Sequence, residues 1–350
     1  MDDFTEDLLT FGTLVEDLSF IDEMRARLWQ ILGHTPRRLK FPGSQPVSFE
    51  KKHIKVLEEN DYLVCEKSDG LRFLLYFTAP YEKRTAFLID RQFGCRELEG
   101  LVLKKEGVIH EDSLLDGELI CEIVNGKKQF SYLVFDCLLV NGVSILSERF
   151  DIRLKHVQND FITPFLLQKS AFPFEMKIKK MWKSYGIGEV MKEIGEQSHG
   201  NDGLVFTPVD EPYQMGTCDS LLKWKPAELN TVDFKLGCKD GAFELFVASS
   251  HDTHCFYDLL SVRKDQEDEL NGLDNQIIEC RLSLKEETPK WEYVRPRKDK
   301  HMANHESVVK KILDSIQDNV KKEELIAACP GIRARWKERE ALKYSKRLKR

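Results

Sequence analysis

The stretch "YLVCEKSDGLRFLLYF", Tyr62 to Phe77, sets a lysine in the break between two apolar segments. Tyr62, Leu63, Val64 and Cys65 suit a pleated, mostly buried strand, and so do Phe73, Leu74, Leu75, Tyr76 and Phe77. Between them stand Glu66, Lys67, Ser68, Asp69, Gly70 and Arg72. The pattern predicts two strands joined by a short charged turn. A free lysine has a pKa near 10.4, so only about one in a few thousand is uncharged at neutral pH. An amine must be uncharged to act as a nucleophile. Neighbouring cations and partial desolvation lower its pKa, and a shift of three units corresponds to roughly 4 kcal/mol. Arg72, Lys223 and Lys225 are candidates for those cations. Taken alone, K-x-D-G is more often a solvent-facing lysine beside an Asp-Gly turn.

Outward from this stretch the strand pattern continues to residue 143. It runs through "TAFLIDR" (85–91), "LLDGELICEIV" (114–124) and "FSYLVFDCLLV" (130–140). Asn125-Gly126 and Asn141-Gly142 are turns, and the first suits a hairpin. Residues 1–33 read as helical, with Ile21, Met24, Leu28 and Ile31/Leu32 on one face and Gly33 as a stop. "FPGSQPVSF" (41–49) reads as a Pro/Gly loop, and residues 147–200 read as mostly helical. "GLVFTPV" (203–209) and "LLKWKP" (221–226) are two further strands. Past Asn230 short strands recur every ten to fifteen residues: "TVDFKLG", "AFELFVAS", "THCFYDLLSV", "QIIECRLSL" and "WEYVRPR". That spacing fits a small all-β barrel or sandwich. An amphipathic helix follows at Val308/Val309, Ile312/Leu313, Ile316 and Val320. From Trp336 the chain is basic. The expected organisation is α+β, with a first domain over 1–230, a β-barrel domain over 231–305, a helical segment over 306–335 and a solvated or disordered tail over 336–350.

The bulk numbers narrow the function. The 350 residues are 41% hydrophobic and 32% charged, with a formal net charge of −6. A chain of that balance is no general nucleic-acid coat, so polyanions would have to meet a local cationic cleft. No apolar run approaches the roughly 18 residues that span a bilayer, and the acidic "MDDFTEDLLTFG" start is unlike a secretory signal. Nine cysteines without a C-x-x-C pair point to free thiols in a reducing compartment. There is no H-E-x-x-H, and no G-x-x-x-x-G-K-[ST] loop to cradle phosphates.

Other fragments add chemistry. "LLDGEL" places Asp116 and Glu118, and "NDGLVF" places Asp202, at apolar strands; together such acids could converge on a cleft mouth and hold a hard divalent cation. "LLKWKP" puts Lys223 and Lys225 at i, i+2, on one face of a strand, which is unfavourable unless an anion lies between them. "VRPRKDK" offers Arg295, Arg297, Asp299 and Lys300, a run that by itself reads as a solvated face.

In this order, these fragments resemble the covalent nucleotidyltransferase superfamily of capping enzymes and ATP-dependent polynucleotide ligases. "EKSDGLR", "FLIDRQF", "LLDGEL", "YLVFDCLLVNG", "NDGLVFTP", "LLKWKP" and "WEYVRPRKDK" look like its successive motifs, spanning residues 67 to 300. The last two and "FPGSQPVSF" resemble the mRNA guanylyltransferases of the stand-alone fungal type. The resemblance implies a nucleotidyltransferase domain of antiparallel sheets and helices, followed by an OB-fold that Asp233, in "VDF", would begin. It implies that Lys67, in a motif that includes Asp69 and Gly70, attacks the α-phosphate of GTP. Arg72, Glu118 and Arg91 would hold the ribose region, and Phe135 would stack on guanine. Asp202 would help place Mg²⁺ or Mn²⁺, and Lys223 and Lys225 would hold the α-phosphate. Arg297, Asp299 and Lys300 would close over the β and γ phosphates. One further lysine, among Lys177, Lys179, Lys180 and Lys183, would reach the nucleotide. GMP would pass to a 5′-diphosphate RNA end. No H-C-x-x-G-x-x-R phosphatase signature is present, so a separate RNA triphosphatase subunit is expected. The phosphorylated C-terminal tail of RNA polymerase II is an expected partner, the nucleus the expected location, and no membrane is involved. Two readings compete: an ATP-dependent polynucleotide ligase, and a catalytically inactive OB-containing scaffold that binds RNA or polymerase.

Overall fold

The computed structural model describes residues 5–33, 40–80, 83–196, 199–239, 241–249, 253–284, 288–298, 300–318 and 320–348. The chain divides into two compact units: Met1–Val47, Lys55–Lys223 and Ile326–Arg350 form the first, and Ser48–Ile54 with Trp224–Leu325 the second. The borders expected from sequence lie at 230, 305 and 335. The structural division falls at 223 and returns the chain to the first unit from Ile326 onward.

In the first unit, helix α1 (Leu18–Ile31) starts at Asp17, whose carboxylate accepts the Ser19 and Phe20 amides. Gly33 follows it with φ +76°. Only this part of residues 1–33 is a long helix; a single turn (Thr5–Leu8) and a two-residue strand (Thr13–Leu14) precede it. Strand β1 (Ser44–Ser48) and helix α2 (Lys52–Glu59) come next. The decisive stretch folds as β2 (Tyr62–Ser68) and β3 (Leu71–Thr78). Then come β4 (Thr85–Ile89), β5 (Cys95–Leu98), β6 (Ser113–Val124) and β7 (Lys127–Val140). These last five build one sheet in the order β5-β4-β3-β6-β7, continued by Thr13–Leu14 at one edge and Val143–Ser144 at the other. β6 and β7 form the expected hairpin, with Asn125 and Gly126 both at positive φ.

The uninterrupted apolar run of β3 follows from burial on both faces. Phe73, Leu75 and Phe77 enter one core with Leu88, Leu115 and Tyr132. Leu74 and Tyr76 enter a second, closed by Ile21, Met24 and Leu28 of α1.

The mostly helical reading of 147–200 needs correction. Residues 150–166 are helical, and α3 (Ile187–Ile194) is a helix. Between them, β8 (Glu175–Ile178) adds in parallel to β7, and β9 (Trp182–Lys183) pairs with β2. Open sheet edges recruited these segments, which local composition does not report. "FPGSQPVSF" is likewise more than a loop. Its β1 is an edge of the second sheet, ordered β9-β2-β10-β11-β1, where β10 is Asn201–Pro208 and β11 is Gly216–Trp224. An edge strand tolerates Pro46 because it needs only one side of its ladder.

In the second unit the five expected strands close into a barrel: β12 (Thr231–Lys239), β13 (Ala242–Ala248), β14 (His254–Ser261), β15 (Ile277–Ser283) and β16 (Lys290–Pro296). Val232, Phe234, Leu236, Leu245 and Trp291 fill it, and Val309 of α4 (Glu306–Asp318) joins that core. This is the architecture expected of an OB-fold domain. The last helix, α5, runs from Lys322 to Leu348, where a tail had been expected from 336.

Candidate active site

The site is built on the β2–β10 pair. Lys67 lies one residue before the end of β2, its side chain 28% exposed between the buried Glu66 and Ser68. Across from it, β10 is irregular: Leu204 pairs with Glu66 and Asn201 with Ser68, so three steps on β10 match two on β2. This bulge presents Asp202 and Gly203 opposite Lys67. Gly203 adopts φ +143°, a conformation that side chains other than glycine rarely accept. The result is a 2.8 Å ion pair between Lys67 Nζ and Asp202 Oδ1. The dipeptide Asp202-Gly203 is therefore a bulge, not a turn, and Asp116-Gly117 lies inside β6. Only Asp69-Gly70 turns the chain. There the exposed Asp69 donates its amide to Gly200, and a Cβ on Gly70 would stand 2.4 Å from the Leu119 carbonyl oxygen.

Arg72 is directly across from Glu118 in the β3–β6 register. Its guanidinium grips Asp116 with two bonds, Nε to Oδ1 at 2.9 Å and Nη2 to Oδ2 at 2.6 Å, and donates Nη1 to the Ser44 carbonyl at 2.6 Å. Tyr213 donates to Asp116 at 2.6 Å and accepts the Ser44 amide at 2.7 Å. The same guanidinium lies over the Phe135 ring, 5.4 Å from its centroid, and over Phe41 at 5.5 Å. Asp116 and Glu118 both line the cleft, but Asp116 is wholly buried and its oxygens are taken by these partners, which leaves it unavailable to a metal; Asp202 is not a lining residue and meets the site through Lys67. Arg72 is not a free cation crowding Lys67 either, because Asp116 takes up its charge.

Lys67, Arg72, Arg91, Glu118, Phe135 and Lys179 line one cleft. Desolvation raises the Glu118 carboxyl, against the opposing pull of Lys67, Arg91, Lys179 and Arg72. Desolvation by the cleft walls and the neighbouring Arg72 lower the Arg91 guanidinium, although the residue as a whole keeps an exposed surface; it makes no hydrogen bond or ion pair among the described residues. Lys67, Arg72, Arg153 and Lys179 are each ion-paired with a carboxylate, so Arg91 is the cleft cation that an incoming anion would meet without displacing an ion pair among the described residues. Leu221 of β11 also lines the cleft, and period two puts Lys223 on the Leu221 face of that strand, although Lys223 is not itself a lining residue. Lys225 belongs to the second unit.

The structure separates the four candidate lysines. Lys180 pairs with Glu193, Lys183 with Glu340, and Lys177 with Glu122 and Glu175. Lys179 alone among them lines the cleft. Its Nζ is 2.8 Å from Glu66 Oε1 and donates to Ser68 Oγ. Behind it, His199 bridges Glu66 and Glu122 at 3.2 Å each, with its side chain 7% exposed. Sequence reasoning missed His199 and Tyr213, since neither belongs to a periodic or charged pattern. Burial alone would raise the Glu66 carboxyl, but contacts with His199, Lys179 and Ser68 outweigh it and hold it below the ordinary range. A depressed carboxyl stabilises the fold fully above its unfolded value of about 4.3 and loses that contribution as pH falls through the folded value. Wild type should therefore exceed Glu66→Gln in urea-unfolding stability by on the order of 1–3 kcal/mol at pH 7, and the gap should close below pH of about 4. A gap independent of pH would mean that the Glu66 charge is not what holds the network.

In the second unit, Arg297 Nη1 lies 2.8 Å from Asp233 Oδ1, and Lys300 pairs with the other carboxylate oxygen. Arg295 pairs with Glu279 at 2.6 Å. Asn304 ties the same strand: its Oδ1 accepts the Asp233 amide at 2.9 Å and its own amide donates to the Asp233 carbonyl at 2.7 Å. Asp299 lies outside the described residues.

No group of three His, Cys, Asp or Glu side chains that could hold a metal occurs among the described residues. A lone partly exposed carboxylate such as Asp202 suits Mg²⁺ or Mn²⁺, which keep water and substrate phosphate oxygens as their other ligands.

A family model described as the mRNA capping enzyme catalytic domain matches residues 13–227, and one described as the mRNA capping enzyme C-terminal domain matches residues 229–326. The mRNA-capping enzyme subunit alpha of Schizosaccharomyces pombe is 38% identical over 358 residues, covering 93% of this chain and 88% of its own. That of Saccharomyces cerevisiae is 32% identical over 400 residues, covering 94% and 87%. Among solved structures, a mycobacterial DNA ligase D complexed with ATP and MES aligns with 73% of this chain and 95% of its own, at 14% identity and a TM-score of 0.39.

Proposed function

The chain belongs to the mRNA capping enzyme family, and we propose from that premise that its cleft moves GMP from GTP, through Lys67, to the 5′-diphosphate end of RNA. The observation that carries this reading is Lys67 itself. It stands opposite a bulge that offers it Asp202, in a cleft that Arg91, Lys179, Glu118 and Phe135 also line.

In the first step the neutral Lys67 amine attacks the α-phosphorus of GTP. The N–P bond forms, the bond from that phosphorus to the β-phosphate oxygen breaks, and pyrophosphate leaves while the amine loses a proton. In the second step a terminal phosphate oxygen of the RNA attacks the lysyl-GMP phosphorus. The P–N bond breaks and Lys67 recovers its proton and its amine. Arg91 and Lys179 supply fixed positive charge facing the nucleotide, and Phe135, backed by Arg72, offers a flat face to the base. Asp202 would hold a divalent ion, which when bound neutralises charge on the departing pyrophosphate.

A base face on Phe135 accepts either purine, because each has a π-surface; polar contacts at the guanine edge must choose. Incubation with α-labelled GTP should label the denatured protein, and α-labelled ATP should label it only weakly. Equal labelling would move the reading to a polynucleotide ligase, and no labelling by either would favour an inactive scaffold.

The relatives' name, subunit alpha, supports a partner subunit, and we assign that partner the RNA triphosphatase step. Because capping acts on nascent transcripts, we assign the chain to the nucleus and the phosphorylated C-terminal tail of RNA polymerase II as a partner. Among the described residues no helix is long and apolar enough to cross a membrane.

A further inference from the structure

The matched family regions stop at Ile326, and nothing in them accounts for the helix beyond. From Ile326 onward α5 belongs to the first unit. Its buried positions, Ile332 and Trp336, continue into Arg339, Glu340 and Lys343, a stripe at helical spacing. The first half of the stripe is apolar and the second half is charged, so from sequence it passes for a solvated tail.

The charged half reaches β9 and the residues that flank β2 and β10. Glu340 accepts from Lys183 of β9 at 2.5 Å, while Trp336, which donates to Glu340 at 3.0 Å, packs edge-on against Tyr185. Arg339 donates to Asp61 Oδ1 at 2.7 Å and to the Glu58 carbonyl at 2.5 Å. Lys343 bridges Asp61 and Asp210 at 2.9 Å each. Asp61 directly precedes β2, and its side chain is 6% exposed. Asp210 stands two residues past the end of β10, and the intervening Val209 donates its amide to the Asp61 carbonyl at 2.9 Å.

The β2–β10 ladder thus carries Lys67 and Asp202 at one end and Asp61 and Asp210 at the other. The 2.8 Å apposition of Lys67 and Asp202 depends on register, since a slip of one residue turns every side chain to the opposite face. Two carboxylates at the far end would repel each other and fray the ladder unless cations are held there; Asp210 also has Arg149 at 3.0 Å, whereas the cations on the buried Asp61 are Arg339 and Lys343. A buried Asp61 without its partners would be strongly unfavourable.

We propose that α5 is a strut across the β9-β2-β10 sheet, and that Arg339 and Lys343 are positioning residues for Lys67. The inference rests on the reading of Lys67 as the nucleophile. The test uses the full chain with Arg339→Ala and Lys343→Ala combined. Adduct formation at saturating GTP should fall about tenfold, from misplacement of a reacting group rather than lost binding, and the KM for GTP should stay within about a factor of two. Amide exchange should quicken in β2 and β10 while other strands keep their protection. Arg339→Lys, which keeps a charge at Asp61, should recover part of the rate, and Arg339→Gln should not. An unchanged rate in the folded variant would overturn the proposal, as would a uniform loss of protection with parallel losses in rate and GTP binding. If the double variant does not fold, Lys343→Ala alone is read by the same criteria. If wild type forms no adduct but exchange in the variant quickens only in β2 and β10, the nucleophile reading fails and the strut stands.

Discussion

Lys67→Ala should form no nucleotide adduct: with α-labelled GTP and Mg²⁺ the denatured protein should carry no label, where wild type should be labelled. The loss is complete because the reaction needs an amine at that point of the cleft, and the other cleft-lining lysine, Lys179, is engaged by Glu66 and Ser68 with 4% of its side chain exposed. The wild-type bond should behave as a phosphoamide, labile in acid and stable in base. Lys67→Arg should fail equally. It can keep an ion pair with Asp202, but a guanidinium stays protonated above a pH of about 12 and does not attack. Comparing the two variants separates the nucleophile from the counter-ion. A label that survives in either one places the nucleophile elsewhere.

Arg297→Ala should cripple the first step and spare the second. On our reading Arg297 and Lys300 reach the β and γ phosphates, which leave as pyrophosphate once the adduct forms. An interaction made only in the first transition state affects only that step, and loss of such an electrostatic clamp costs on the order of a hundredfold or more. The structure adds a detail: both cations are held on Asp233 of their own unit, so the phosphates must compete with a carboxylate already in place. Lys223→Ala should differ, because the α-phosphate is present in both steps. The measurement isolates the adduct that Arg297→Ala does make, adds diphosphate-ended RNA and times cap formation. If transfer slows as much as adduct formation, the barrel cations are not a pyrophosphate-side clamp.

Several elements were readable because their signals are local. β2 and β3, the β6–β7 hairpin with its Asn125-Gly126 turn and the five barrel strands follow from period, apolar content and turn chemistry within a few residues. β8, β9 and β1 were not. Each is a short segment whose extended form is stabilised by an edge that a distant part of the chain supplies. Asp202-Gly203 shows the same division within one dipeptide. Its residue types marked it for attention, but whether it turned the chain or bulged a strand depended on β2.

By itself the sequence determined the chemical inventory: a lysine at a strand end, acids and cations in a fixed order, and a β domain after residue 230, because residue type and short-range period are properties of the chain alone. Only the tertiary structure decided which of those charges remain available. Asp116 is taken by Arg72 and Tyr213, Lys179 rather than its three neighbours enters the cleft, and Arg339 and Lys343 close on Asp61. Ion pairs of this kind form between residues tens to hundreds of positions apart, and burial decides their strength. Neither separation in space nor exposure to water is written in the spacing of a sequence.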